Sequence, residues 1–384
     1  MDAKIIQRRY DIDWLRVLAI LSVLVYHSTR FFNNEDWHVK NSVTYHLVDV
    51  WNAFAASWLM PFVFVISGAS LFYAPGKGGL VETVGKFIKD KTLRLAVPLI
   101  LGILIHGSIQ VYLERFTHHQ FSGSYFQFLP HYFEGIYGMG GNLAIQGMHL
   151  WYLLVLFIFS LVCLPLFLIL KTRLGSLALG KLTDFLAVPG MIYLLVGVVV
   201  ILNHLDPDTL MGFDKFNFNL AVYLAFLLLG YVIMASEKLQ QTIQRLRWIS
   251  LLGAVILTVL LVSDSYHDDL MAWFFSLTFF GFGMKHLNFN KPLLKYANEA
   301  VLPFYILHQT VLLVIGYFVV QWVIPDLAKW ALILVSSFIV IMAVYELIVR
   351  RFNVMRVLFG MKLLAKPAGI HTKETQLKEA VRTM

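Results

Sequence analysis

Residues 11–28 read DIDWLRVLAILSVLVYHS. A run this apolar and this long predicts a helix crossing a bilayer, since about 20 residues at the helical rise span a hydrocarbon core. Asp13, Arg16 and His27, three of the ionisable groups inside it, each cost at least a few kcal/mol in that setting, so they point to function. Arg16 and His27 are eleven residues apart. At about 100° and 1.5 Å per residue, that is roughly three turns plus 20°, so both project from one face about 16 Å apart in depth. Asp13 and Arg16 form an i,i+3 pair in which a carboxylate can hold the guanidinium. The segment carries Arg16 and His27 inside it and is followed by no small-residue cleavage site, so it reads as an anchor rather than a signal peptide.

The rest of the chain repeats this pattern. Of its 384 residues 59% are hydrophobic and only 14% charged, with a mean hydropathy of +0.71, well outside the composition of a water-soluble domain. Apolar windows recur at about 12–32, 48–74, 95–113, 149–170, 186–204, 217–235, 248–263, 270–284, 299–321 and 328–349. The expected fold is therefore an all-α, polytopic transmembrane bundle of about ten spans. Strands are excluded as its basis, because the runs lack period-two alternation and only helices satisfy their own backbone in lipid.

The net charge of +8 is explained by topology. Of the 31 Lys and Arg residues, 25 fall in the N-terminus, alternate loops and the C-terminal tail, whereas the opposite loops hold only Arg30, Lys40, Arg115, Lys215 and Lys329, with Arg16 inside the first span. The positive-inside rule then places both termini in the cytoplasm, and no nucleic-acid partner is expected. The single cysteine, Cys163, permits neither an intrachain disulfide nor a cysteine metal cluster. Two domains are expected: residues 1–350 form the membrane domain, and 351–384 form a basic cytoplasmic tail that is partly disordered.

Two connections stand out. The stretch PGKGGLVETVGKFIKDKTLR at 75–94 reads as a Pro/Gly turn and then a basic amphipathic segment, either a surface helix or a topology-setting loop. Residues 114–148 form the longest outer loop, with His118, His119 and His131. Those histidines lack ligand spacing with carboxylates, so no metal site is expected.

From the residues alone, His27 is either a general base or a core histidine bonded to a backbone carbonyl. His149 and Trp151 read as acceptor contacts or as an aromatic belt, and His308 as a mid-membrane site residue. Glu346 has Arg94 or Arg350 as expected partner, and Ser67 with Gly68 reads as close packing. Buried Asp13, Arg16, His27 and His308 also suit a secondary transporter's relay, although no two-fold repeat supports it.

The spacing of Asp13, Arg16 and His27 resembles the signature of the acyltransferase 3 family of membrane O-acyltransferases. FVFVISG at 62–68, the basic stretch ending at Arg94 with Pro98 beyond, HLWYLLVL at 149–156, LPFYILHQ at 302–309 and YE at 345–346 follow in order. Within that family the chain resembles the branch that includes the periplasmic-glucan succinyltransferase. The resemblance implies a bacterial inner-membrane enzyme that transfers an acetyl- or succinyl-class group from cytoplasmic acyl-CoA to a hydroxyl of an extracytoplasmic carbohydrate. It implies no tightly bound cofactor, and makes Arg16 and His27 the functional pair, with Asp13 beside them. CoA phosphates would be attracted by Lys89, Lys91 and Arg94, where the family often has two arginines; a lysine offers a compact charge rather than a guanidinium fork. The partners expected are acyl-CoA, a carbohydrate and the lipid bilayer, with homo-oligomerisation left open.

Overall fold

The computed structural model describes residues 8–74, 79–205, 219–262 and 268–364. The part of the expected tail beyond residue 364, with its expected disorder, and the loop positions of Lys77 and Lys215, lie outside the described residues. All regular structure within them is helical apart from two isolated bridges, Ile136 with Leu143 and Tyr137 with Gly141. The helices are α1 (Tyr10–Thr29), α2 (His46–Tyr73), α3 (Leu80–Thr117), α4 (Met148–Val162), α5 (Leu164–Leu170), α6 (Arg173–Leu186) and α7 (Met191–Leu205). There follow α8 (Leu220–Met234), α9 (Glu237–Val262), α10 (Asp268–His286), α11 (Pro292–Val319), α12 (Asp326–Val349) and α13 (Asn353–Leu358).

Six of these are long and apolar enough to cross a membrane, or eight if the bent pairs α4/α5 and α6/α7 each count as one span. The sequence suggests about ten. The pairs bend by 47° and 112° at their breaks, and α8, an expected span at 217–235, is a helix of only 15 residues. Hydropathy windows register apolar residues whether a helix runs straight or turns, so bends of this size escape them.

The bundle is built around α1, α2 and α11, with α8 and α10 against α2 and α12 against α11. Close approach of α2 and α8 depends on glycine. A Cβ on Gly68 would stand 1.7 Å from the Leu227 carbonyl oxygen, and one on Gly230 would stand 1.9 Å from that of Val65. Backbones can meet this closely only where side chains are absent, which bears out the packing expected of Gly68. Gly230→Ala is therefore expected to destabilise the detergent-solubilised protein by about 1–3 kcal/mol through overpacking. Gly180→Ala, where a Cβ meets nothing within 4 Å, is the control; equal melting of the two variants would reject glycine-mediated contact.

The segment expected at 75–94 as a surface helix or loop is helical from Leu80 and runs unbroken into the next span. Continuity is possible despite Pro98 because the helix widens just before it. Proline has no N–H to give the Arg94 carbonyl, and Thr92–Ala96 adopts a π-helical turn in which the Val97 N–H reaches the Thr92 carbonyl. Such turns redirect side chains and recur at functional sites; this one carries Arg94. A second π turn, Gly102–Gly107, carries His106.

Beyond Thr117, residues 118–147 pack as a cap. Ser124 and Gln127 form a capping box on the single turn Tyr125–Phe128. The Tyr132 hydroxyl, pushed up to about 12 by burial, donates to the Ile103 carbonyl at 2.6 Å and pins the cap to α3.

Candidate active site

Two cavities open at opposite ends of α1. The one at the Arg16 end has a volume of about 320 Å³ and is lined by Asp13, Arg16, Ser67, Ser70, Lys91, Arg94, Tyr152, Asn298 and Tyr305 among apolar residues. Arg16 is fixed by three partners: Asp13 Oδ1 at 3.1 Å, Asn298 Oδ1 at 2.9 Å and Ser70 Oγ at 2.7 Å. The i,i+3 pair expected from the sequence is therefore present. Among the described residues no carboxylate forms an ion pair with Lys91 or Arg94, and Lys91 lies over the Phe87 ring at 5.3 Å. Three cations facing one cavity with one carboxylate among them make a site for an anion rather than a closed salt-bridge network.

Lys89, grouped with these residues on sequence grounds, is exposed and does not line the cavity. Two residues along a helix turn the side chain by about 200°, whereas Lys91 and Arg94 are i,i+3 neighbours. Glu346 pairs with Arg350 at 3.0 Å, which settles its two expected partners in favour of Arg350.

The second cavity, about 270 Å³, lies at the His27 end. It is lined by His27, Trp37, His38, Glu114, Tyr137, Gln146, His149, Trp151 and Gln309, with Asp36, His118 and Met148. The structure thus brings His27, His149 and Trp151 together. His308 is buried behind them, its ring centroid 5.1 Å from that of His27 and 5.0 Å from that of His149.

Hydrogen bonds set the proton positions. His149 Nε2 donates to the Ile306 carbonyl at 3.1 Å, which leaves Nδ1 to accept from Gln110 Nε2 at 3.0 Å. Both its nitrogens are engaged, so His149 is neutral and has no lone pair free. His308 Nδ1 donates to the Tyr305 carbonyl at 2.6 Å, which puts its lone pair on Nε2. That atom is buried without a partner, as is His27 Nδ1. Two imidazole nitrogens without partners thus stand on neighbouring rings beside this cavity.

Tyr305 connects the cavities. It lines the first, its hydroxyl donates to the His149 carbonyl, and its ring lies 5.8 Å from that of Tyr152 and 5.5 Å from that of His308. Behind this wall Gln309 Nε2 donates to Gln110 Oε1 at 3.0 Å, Gln110 Nε2 also donates to Thr310 Oγ1 at 2.9 Å, and Thr310 meets His106 Nδ1 at 3.0 Å.

Sequence reasoning missed His38, Glu114, Gln110 and His106. Glu114 and Gln110 share one face of α3 four residues apart, a signal that could have been read as polar groups aimed into the bundle.

The apolar helical bundle thus carries a cationic cavity at one end of its first helix and an imidazole-lined cavity at the other. The chain belongs to the acyltransferase 3 family: the family model, described as an acyltransferase domain, matches residues 9–346. The protein is a multi-pass membrane acyltransferase, and the relay reading of the same residues gives way to that assignment. Among curated proteins it is similar to glucans biosynthesis protein C of Escherichia coli O81 (strain ED1a), 22% identical over 338 residues, which cover 82% of this chain and 84% of the relative. It is also similar to that of Escherichia coli (strain K12), at 22% over 339 residues with the same coverage. No solved structure matches the chain significantly.

Proposed function

We propose that this enzyme sits in a bacterial inner membrane with both termini cytoplasmic. There it moves an acetyl- or succinyl-class group from cytoplasmic acyl-CoA to a hydroxyl of a periplasmic glucan or related envelope carbohydrate. The observation that carries this reading is the placement, on one helix, of Arg16 in a cavity with Lys91 and Arg94 and of His27 in the opposite cavity. CoA phosphates suit Lys91 and Arg94, and the acceptor suits a cavity flanked by Trp37 and Trp151. The glucan comes from the name of the relatives.

In this reading His27 accepts the proton of the acceptor hydroxyl as its oxygen attacks the thioester carbonyl carbon. The C–S bond breaks and the proton passes to the departing thiolate, giving an ester and free CoA. Arg16 either stabilises the oxyanion or grips the donor arm. Direct transfer needs no covalent enzyme intermediate.

Mass spectrometry of envelope glycans with and without the gene tests this function: loss of an acyl mass from a glycan is expected, and identical glycan profiles would reject it. Orientation is tested separately. A reporter active only in the cytoplasm should work when fused after residue 384 and be silent when inserted near residue 125. The reverse pattern would put the donor cavity on the wrong side.

A further inference from the structure

The cavity at the His27 end contains another imidazole, which the transfer step leaves without a task. His38, in the segment between α1 and α2, is 6% exposed, and its Nδ1 lies 2.5 Å from Glu114 Oε2 on α3. The same carboxylate accepts from the Tyr137 hydroxyl at 3.0 and 2.8 Å, and the Arg115 guanidinium stands 3.9 Å from its Oε1. Burial and the adjacent carboxylate push the Tyr137 phenol up, so it remains a donor. The approach is not aligned as a hydrogen bond, yet a ring nitrogen and a carboxylate oxygen this close must have a proton between them, which places the His38 proton on the Nδ1 side.

The His38 lone pair then lies on Nε2. It is held only by a long contact, 3.4 Å, from Gln309 Nε2, whose other N–H goes to Gln110 at 3.0 Å, so an incoming hydroxyl can compete for it. Nε2 is an oriented acceptor in the wall of a cavity that His27 also lines. Of the imidazoles lining this cavity, His27 has no partner at Nδ1 and His38 is backed by a carboxylate.

We propose that His38 accepts a hydrogen bond from a second hydroxyl of the acceptor, one that is not acylated, with Glu114 as the positioning residue that orients the imidazole. The site thereby selects polyhydroxylated acceptors over alcohols with a single hydroxyl. This rests on the acyl-transfer reading above and adds to it a specificity device.

The test uses the full chain purified in detergent, with acetyl-CoA and succinyl-CoA as donors. The acceptors are an oligosaccharide of β-linked glucose and a methylated glucoside that retains one free hydroxyl. His38→Ala and Glu114→Gln should each raise the KM for the oligosaccharide roughly tenfold, the scale of one hydrogen bond. They should leave the KM for the donor unchanged and leave turnover of the one-hydroxyl acceptor at the wild-type level. Thr117→Val is the structural control, since the Thr117 hydroxyl donates to the His38 carbonyl at 2.6 Å and tethers the same segment without touching the imidazole. An unchanged oligosaccharide KM in Glu114→Gln overturns the proposal. So does an equal loss for both acceptors, or a loss that Thr117→Val reproduces. A wild-type enzyme that acylates neither acceptor while binding acyl-CoA overturns the carbohydrate-acceptor reading itself, an outcome distinct from the others because it precedes any substitution.

Discussion

His27→Ala is expected to lose acyl transfer by at least about 10²-fold, the scale of a removed general base, while still inserting in the membrane and binding acyl-CoA. His27 Nδ1 has no partner, so truncating the imidazole strands no other group and removes a desolvation cost from a membrane helix. The donor cavity lies at the other end of α1, among Arg16, Lys91 and Arg94, and is not touched by the change. His27→Gln separates the remaining alternatives, because an amide can replace a structural hydrogen bond but is a poor base. Near-normal transfer by the Gln variant would move the base elsewhere, and the structure restricts where. His149 has both nitrogens engaged, so the replacement would be His308, whose Nε2 is bare and whose ring touches that of His27, or His38, whose imidazole lines the same cavity with Glu114 behind it. Loss in both variants with the donor still bound leaves proton abstraction by His27 as the simplest account.

Replacing Lys91 and Arg94 together by Ala should raise the apparent KM for acyl-CoA by roughly 10²-fold or more and lower kcat less. Each charge-assisted contact with a phosphate is worth about 1.5–3 kcal/mol, and every 1.4 kcal/mol is tenfold. Stability should hold, since neither side chain has an ion-pair partner among the described residues and each stands in the repulsive field of Arg16. The salt dependence of donor binding should flatten in the same variant, because the attraction being removed is the part that ions screen. Lys89→Ala, outside the cavity, should shift KM far less. An unchanged KM in the double variant, or an equal shift in Lys89→Ala, would reduce the basic stretch to a topology signal.

What the sequence determined by itself is what depends on near neighbours. Apolar runs of bilayer length specify a membrane helical bundle because lipid leaves the backbone no other way to satisfy its polar groups. The helical repeat put Arg16 and His27 on one face, Asp13 against Arg16, and Glu346 within reach of Arg350. What only the tertiary structure decided depends on packing between distant segments. His308 meets His27, and Glu114 meets His38, across separations that no periodicity spans. The bends in α4/α5 and α6/α7, which take the count of long apolar spans to six or eight, come from how helices fit together rather than from how apolar they are. The division of the polar residues between two cavities, with Tyr305 at the join, has the same origin. Hydropathy fixes which segments leave water, but glycine contacts such as Gly68 on Leu227 and Gly230 on Val65 fix which faces meet, and an active site is made where faces meet.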